Sequence, residues 1–190
     1  MRNREQPAAH DEQLQPCSDA ELARLQALLD RSTATATASV ADSVAYRGRQ
    51  MSAAEFVEFW RSVRLVAMAT VGGAGQPHIA PVHAQLGGAR FRMGHGGDAV
   101  AGQNCGLTTL RMVIYEDAVR RADLARNPRV AITTWREDGA AAILYGRARE
   151  VPGSLREARA GRSGKPRRVV ELAIELSRIY AMRPPERNAQ

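Results

Sequence analysis

Two adjacent arginines, Arg120 and Arg121, stand in the segment Val113–Trp135, VIYEDAVRRADLARNPRVAITTW. An extended apolar run, Leu110–Tyr115, leads into a short helix expected to begin near Asp117. Asn127-Pro128 stops that helix, and a second β-branched run, Val130–Trp135, follows at once. The order puts two guanidinium groups in the first turns of a helix, beside the end of a sheet. Fixed guanidinium groups and helix N-terminal amides both favour an anion such as phosphate. Each charge-assisted hydrogen bond contributes roughly 1.5–3 kcal/mol, so two of them with ring stacking would account for micromolar binding. The competing reading pairs the same arginines with Glu116, Asp117 and Asp123 on a solvated surface.

Other chemistries find little support. His78 and His83 lie at odd spacing on one extended run, which places them on opposite faces of a strand and prevents joint metal binding. No carboxylate–histidine cluster has ligand spacing, so no metal is expected. There is no Gly-x-Ser-x-Gly elbow, and neither Cys17 nor Cys105 has a basic neighbour in sequence. Gly72-Gly-Ala-Gly75 precedes a strand rather than the helix a dinucleotide fingerprint needs, so it reads as a hairpin turn. Gly94-His-Gly-Gly97 lacks the Gly-Lys-Ser/Thr of a phosphate loop. No catalytic residue is assigned, and any reaction would rest on a bound cofactor. Pro77 and Pro81 cannot donate to a ladder and mark a strand edge or a bulge. Backbone groups freed around them would suit a flat heteroaromatic ring, or would simply turn a barrel corner.

The elements that must position these residues follow from pattern. Ser18–Glu21 is a capping box, and Leu22, Leu25, Leu28 and Leu29 follow at helical spacing, predicting a helix from about Asp19 to Arg31. Ser32–Ser39 reads as a low-complexity linker, and the N-terminal extension is expected to pack loosely or to clasp a partner copy. Ser52–Glu55 is a second capping box, followed by the core stripe Phe56, Phe59, Trp60 and Val63. Strands are expected from Leu65, after Gly75, at Ala89–Met93, and on both sides of the turn Arg136–Gly139. Gly94–Gly106 reads as a loop. Ser154–Glu157 reads as a third capping box opening a short helix, and the alternation in Val169–Tyr180 favours a closing strand. Six or more strands with few short helices predict a mainly β, α+β architecture closed as a small antiparallel barrel.

The bulk properties bound the partners. The chain has 190 residues, 44% hydrophobic, enough for one core. No apolar run reaches membrane-span length and the N-terminus has no apolar signal segment, so the expected setting is cytoplasmic and away from membranes. Net charge is +7, and 26 of the 27 basic residues are arginine. A basic body attracts anions. The arginines are dispersed and aromatics make up only 5%, which favours a small phosphorylated molecule over nucleic acid.

Taken in order, the helix, Leu65–Val71, GAGQPH, IAPV, a further strand, RRADLARNPRVAI and GRARE resemble the pyridoxamine 5′-phosphate oxidase-like split β-barrel family of flavin and deazaflavin proteins. The resemblance covers roughly Ser52–Met182, with Ala69–Val82 and Ala118–Ile132 its specific blocks. It implies a six-stranded antiparallel split β-barrel over 51–183, an N-terminal extension over 1–50 and a tail over 184–190. It implies a homodimer holding FMN, or alternatively coenzyme F420, between subunits and acting as an oxidoreductase on a small substrate. A non-enzymatic flavin or haem carrier is the alternative on the same fold. The resemblance places the phosphate grip at Arg120, with Arg121 in support. It places Thr70 and the Pro81–Ala84 stretch, including Val82 and His83, around the ring, with Trp135 and Arg147 nearby. His83 reads equally as a proton donor or as a packing residue. Ala80 and Gln85 stand where pyridoxamine phosphate oxidases carry Arg and Lys, and Ala118-Val119 where they carry Ser-Arg. These departures speak against vitamin B6 oxidation and for the broader flavin and deazaflavin branch.

Overall fold

The structure, a computed structural model, describes residues 17–45, 48–87, 106–159 and 166–185. Helix α1 (Asp19–Ala34) opens on Ser18, whose hydroxyl accepts from Glu21 N while the Glu21 carboxylate reaches back to the Ser18 amide. This reciprocal cap satisfies two donors that would otherwise be orphaned. Helices α2 (Ala38–Ala45) and α3 (Ala53–Ser62) follow, and Ser52–Glu55 caps α3 in the same reciprocal way. The Ser32–Ser39 segment, expected as a linker, is helical on both sides of Thr35–Thr37. Nor is α1 loosely attached. Leu25, Leu28 and Leu29 are buried, and the Ser32 hydroxyl accepts from Ile179 N at 2.9 Å while donating to Leu28 O at 2.6 Å.

One antiparallel sheet carries the fold. Its strands are β1 (Val66–Val71), β2 (Pro77–Val82), β3 (Gln85–Leu86), β4 (Thr109–Tyr115), β5 (Arg129–Trp135), β6 (Ala141–Glu150), β7 (Arg156–Arg159) and β8 (Pro166–Met182), with helix α4 (Val119–Arg126) between β4 and β5. The order is β2-β1-β5-β6-β8-β4-β3, with β7 pairing β8. Strand β8 runs long enough to pair β6 and then β7 on one edge and β4 on the other, in a curled sheet consistent with a split barrel. The closing strand expected over Val169–Tyr180 is therefore real and longer. A register shift at Tyr145/Gly146 bends β6 where Gly146 meets β8, and a Cβ there would lie 2.5 Å from Glu175 O.

Alternation sets the core. The inward residues Val66, Met68, Met112, Ile114, Ile132, Leu144, Leu172 and Ile174 pack with the apolar faces of α1 and α3. One expected element is overturned. Ser154–Glu157 does not open a helix; Arg156–Arg159 is strand β7. The Ser154 hydroxyl accepts from Glu171 N at 3.0 Å across the sheet, and pairing with β8 takes the backbone groups a helix would have needed. The expected strand Ala89–Met93 and nearly all of the Gly94–Gly106 loop lie outside the described residues.

Candidate active-site cleft

Strands β1 and β2 form the hairpin read from Gly72–Gly75. Gly72 N donates to Gln76 O and Gly75 N to Gly72 O, both at 2.9 Å, with Gly75 at positive φ. Among the described residues strand β2 is a sheet edge, paired with β1 alone and in unbroken register, which favours the edge reading of Pro77 and Pro81 over a bulge. Helix α4 packs against β1. Between the β1–β2 hairpin and the start of α4 lies a cleft of about 550 Å³. Met68, Thr70, His78 and Ala80 line one wall; Tyr115, Asp117 and Ala118–Arg120 line the other, with Arg167 at its side.

The α4 side of this cleft suits an anion. The N-cap residue Ala118 has no side-chain cap hydrogen bond, so no cap covers the Val119 and Arg120 amides, while the Arg121 amide bonds the Ala118 carbonyl at 2.8 Å. Among the described residues Arg120 has no hydrogen-bond or ion-pair partner. Arg167, by contrast, is occupied. It binds both oxygens of Asp117 at 3.0 and 2.9 Å and lies 3.8 Å above the Tyr115 ring.

The predicted site residues divide. Arg120 and Thr70 line the cleft. Arg121, one position along the helix, turns away to bind Glu150 through two nitrogens, at 2.5 and 3.2 Å, with Glu116 alongside. The Glu150 hydrogen bond raises its pKa further above an already high value. The surface-pair reading thus holds for Arg121, while Arg120 lines the cleft. Val82 faces the core, and His83 Nδ1 lies 2.6 Å from Arg64 O. Pro81 and Trp135 are exposed, and neither lines the cleft.

Sequence reading missed the polar cluster beside Thr70. Asp123 of α4 is 2% exposed, and one of its oxygens takes hydrogen bonds from Thr70 Oγ1 at 2.8 Å and His78 Nδ1 at 2.7 Å. Thr70 and His78 are cross-strand partners in the hairpin, so their side chains converge on one acceptor. The His78 hydrogen bond, aided by Thr70 and by the charge of Arg126, holds the Asp123 carboxyl below its usual range against the opposing effect of burial. In sequence Asp123 stands only as a surface partner for the arginines. A second hollow of about 310 Å³, between α1 and α3, is lined by Asp30, which accepts from Gln26 and Gln50, and by the Arg183–Glu55 pair.

The chain matches the family described as pyridoxamine 5′-phosphate oxidase over residues 52–181. It belongs to that family. No curated protein matches it. Among solved structures it is similar to the conserved hypothetical protein Rv2991 from Mycobacterium tuberculosis, with 16% identity, a TM-score of 0.50, and 72% of this chain and 88% of the other covered. It also aligns with a structure titled F420 Reductase at 15% identity and TM-score 0.41, covering 60% of this chain and 87% of that one. The heme storage protein HutZ of Vibrio cholerae aligns at 11% identity and TM-score 0.46, covering 68% and 93%. At 16% identity the likeness to Rv2991 shows the fold alone. The site of this family member has to be argued from its own residues.

Proposed function

We propose that this protein is a flavin- or deazaflavin-dependent oxidoreductase of its family, with FMN as the first candidate cofactor and coenzyme F420 as the second. The observation that carries the reading is the pairing of an arginine that has no partner among the described residues with a helix start that has no side-chain cap, in a cleft that Met68, Ile79, Ala80 and Tyr115 also line. Arg120 and the first amides of α4 would hold a phosphate. Met68, Thr70, Ala80 and Tyr115 would flank a planar ring and keep water from it. The ring, when bound, would supply hydride chemistry, and the protein binding, orientation and electrostatics. A homodimer is part of the same reading: Ile79, Trp135, Ile143 and Tyr145 leave the outer face of β2-β1-β5-β6 apolar and exposed.

Visible absorbance of the purified chain, titrated with FMN, coenzyme F420 and haem in turn, tests the proposal. FMN is expected to bind with a perturbed flavin spectrum. Arg120→Ala should weaken it about 10- to 100-fold, the equivalent of one charge-assisted hydrogen bond. An unchanged dissociation constant would refute the role of Arg120. A carrier and an enzyme share every contact named here, and turnover separates them: reduction of an added dye or enone by the loaded protein is expected for the enzyme.

A further inference from the structure

Asp123 is the one buried carboxylate among the described residues, and no arginine contacts it. A buried charge is costly unless it is paired and hydrogen-bonded. Here the compensation comes from a histidine whose other edge is open. An ionised carboxylate only accepts, so His78 Nδ1 carries the proton of the 2.7 Å contact. The Cε1 edge of the ring is closed by the hairpin backbone, since a Cβ on Gly72 would come within 2.9 Å of it. His78 nevertheless remains 43% exposed and lines the cleft, which leaves the Nε2 edge for whatever the cleft holds. Two constraints therefore fix one imidazole: Asp123 on α4, itself held by Thr70 on β1, and the Gly72 backbone.

We propose that His78 is a ligand-contacting residue of this cleft, positioned by Asp123 and Thr70, and that its imidazolium donates a hydrogen bond from Nε2 to an anionic oxygen of a phosphate-bearing ligand. The proposal deepens the cofactor reading and rests on it only for the choice of cleft. It adds a second cationic contact from β2 to that of Arg120 on α4, and it couples binding to proton uptake. The charged and titratable groups lining the cleft with His78 are Arg120 on α4, Asp117 in the turn before it, Tyr115 on β4 and Arg167 on β8; Asp123 lies on the histidine's Nδ1 side, where the charge of Arg126 also acts on it. Asp117 and Arg167 are paired with each other.

The test uses the full chain with ¹⁵N-labelled histidine, His78 being assigned by its loss in His78→Gln. Without ligand, His78 should show the Nδ1–H tautomer when neutral, and Asp123→Asn should abolish that preference. Inorganic phosphate and FMN should each move the His78 Nε2 resonance, and riboflavin, which lacks the phosphate, should not. FMN affinity should fall at least tenfold more between pH 6 and pH 8.5 in the wild type than in His78→Gln; the comparison removes the phosphate group's own titration. An Nε2 resonance unmoved by both phosphate and FMN overturns the proposal, and so does a His78→Gln profile that matches the wild type. Riboflavin moving Nε2 as far as FMN does overturns the anionic assignment. The two readings fail separately. If FMN, coenzyme F420 and haem all fail to bind while phosphate moves Nε2, the cofactor reading falls and this one stands. If FMN binds through Arg120 and Nε2 is still, the reverse holds.

Discussion

At the level of single residues, the cleft turns on which of two neighbours faces it. Successive helix residues are about 100° apart, so Arg120 and Arg121 cannot share a direction. The choice is made by Glu150 on β6, which draws Arg121 aside through a contact far away in sequence. Spacing alone had no access to that partner, nor to Asp123, which lies 45 positions from His78 and 53 from Thr70. What was legible was local: a basic pair after a strand, and a threonine and histidine on a hairpin. The Asp123 cluster makes a prediction of its own. Its carboxyl is held below the usual value in the folded state, so its contribution to stability is present above the unfolded pKa of about 3.9 and is lost as pH falls through the folded pKa. Thermal melts from pH 7 down to pH 2 should therefore show a shallower acid decline for Asp123→Asn than for the wild type. Parallel curves would show that Asp123 is not ionised in the fold. Gly72→Ala should also destabilise by about 1–3 kcal/mol, the usual cost of overpacking, because the Cβ meets the clamped imidazole. A melting temperature equal to the wild type's would show the ring free to move.

At the level of elements, reciprocal capping and hydrophobic period made α1 and α3 readable, because both signals lie within one turn of chain. The same Ser-x-x-Glu pattern misled at Ser154, where the serine hydroxyl serves a strand 17 positions away. A cap is a local preference, and a ladder of cross-strand bonds outweighs it. The Ser32–Ser39 segment misled in the opposite direction. Its small residues resemble a linker, yet Ser32 is where α1 bonds to β8. The attachment is measurable. Leu25→Ala should cost about 2–5 kcal/mol, as for a fully buried leucine. Ser32→Ala should cost about 1–3 kcal/mol by leaving Ile179 N without an acceptor. Denaturant unfolding of both variants would check this, and near-neutral values would mean that α1 is dispensable to the body. The helix thus seals the barrel in this fold, on a segment that precedes the family match at residue 52.

At the level of the molecule, the sheet has two unlike faces. The inner one carries the core. The outer one, across β2-β1-β5-β6, presents the cross-strand row Ile79, Ala69, Ala131 and Tyr145, flanked by Thr133, Ile143 and Trp135. Ile79 is 70% exposed and Trp135 69%. Monomeric proteins rarely leave so continuous an apolar surface in water. Association by the strand edge is disfavoured, because Pro77 and Pro81 remove two of the donors that β2 would need for edge-to-edge pairing. Face-to-face contact remains, and a second copy related by a two-fold axis would bury the patch on both chains at once. The chain is therefore expected to elute with twice its own mass in size exclusion with light scattering. Trp135→Arg combined with Ile143→Arg should convert it to a monomer, since each change places an unpaired guanidinium within the buried face. Both positions lie outside the cleft. If the variant becomes monomeric and keeps wild-type affinity for FMN, one chain builds the whole cofactor site. If affinity falls with dimerisation, the partner supplies part of it. A wild type that is already monomeric at micromolar concentration would remove the dimer from the proposal and leave the outer face to be explained by another partner.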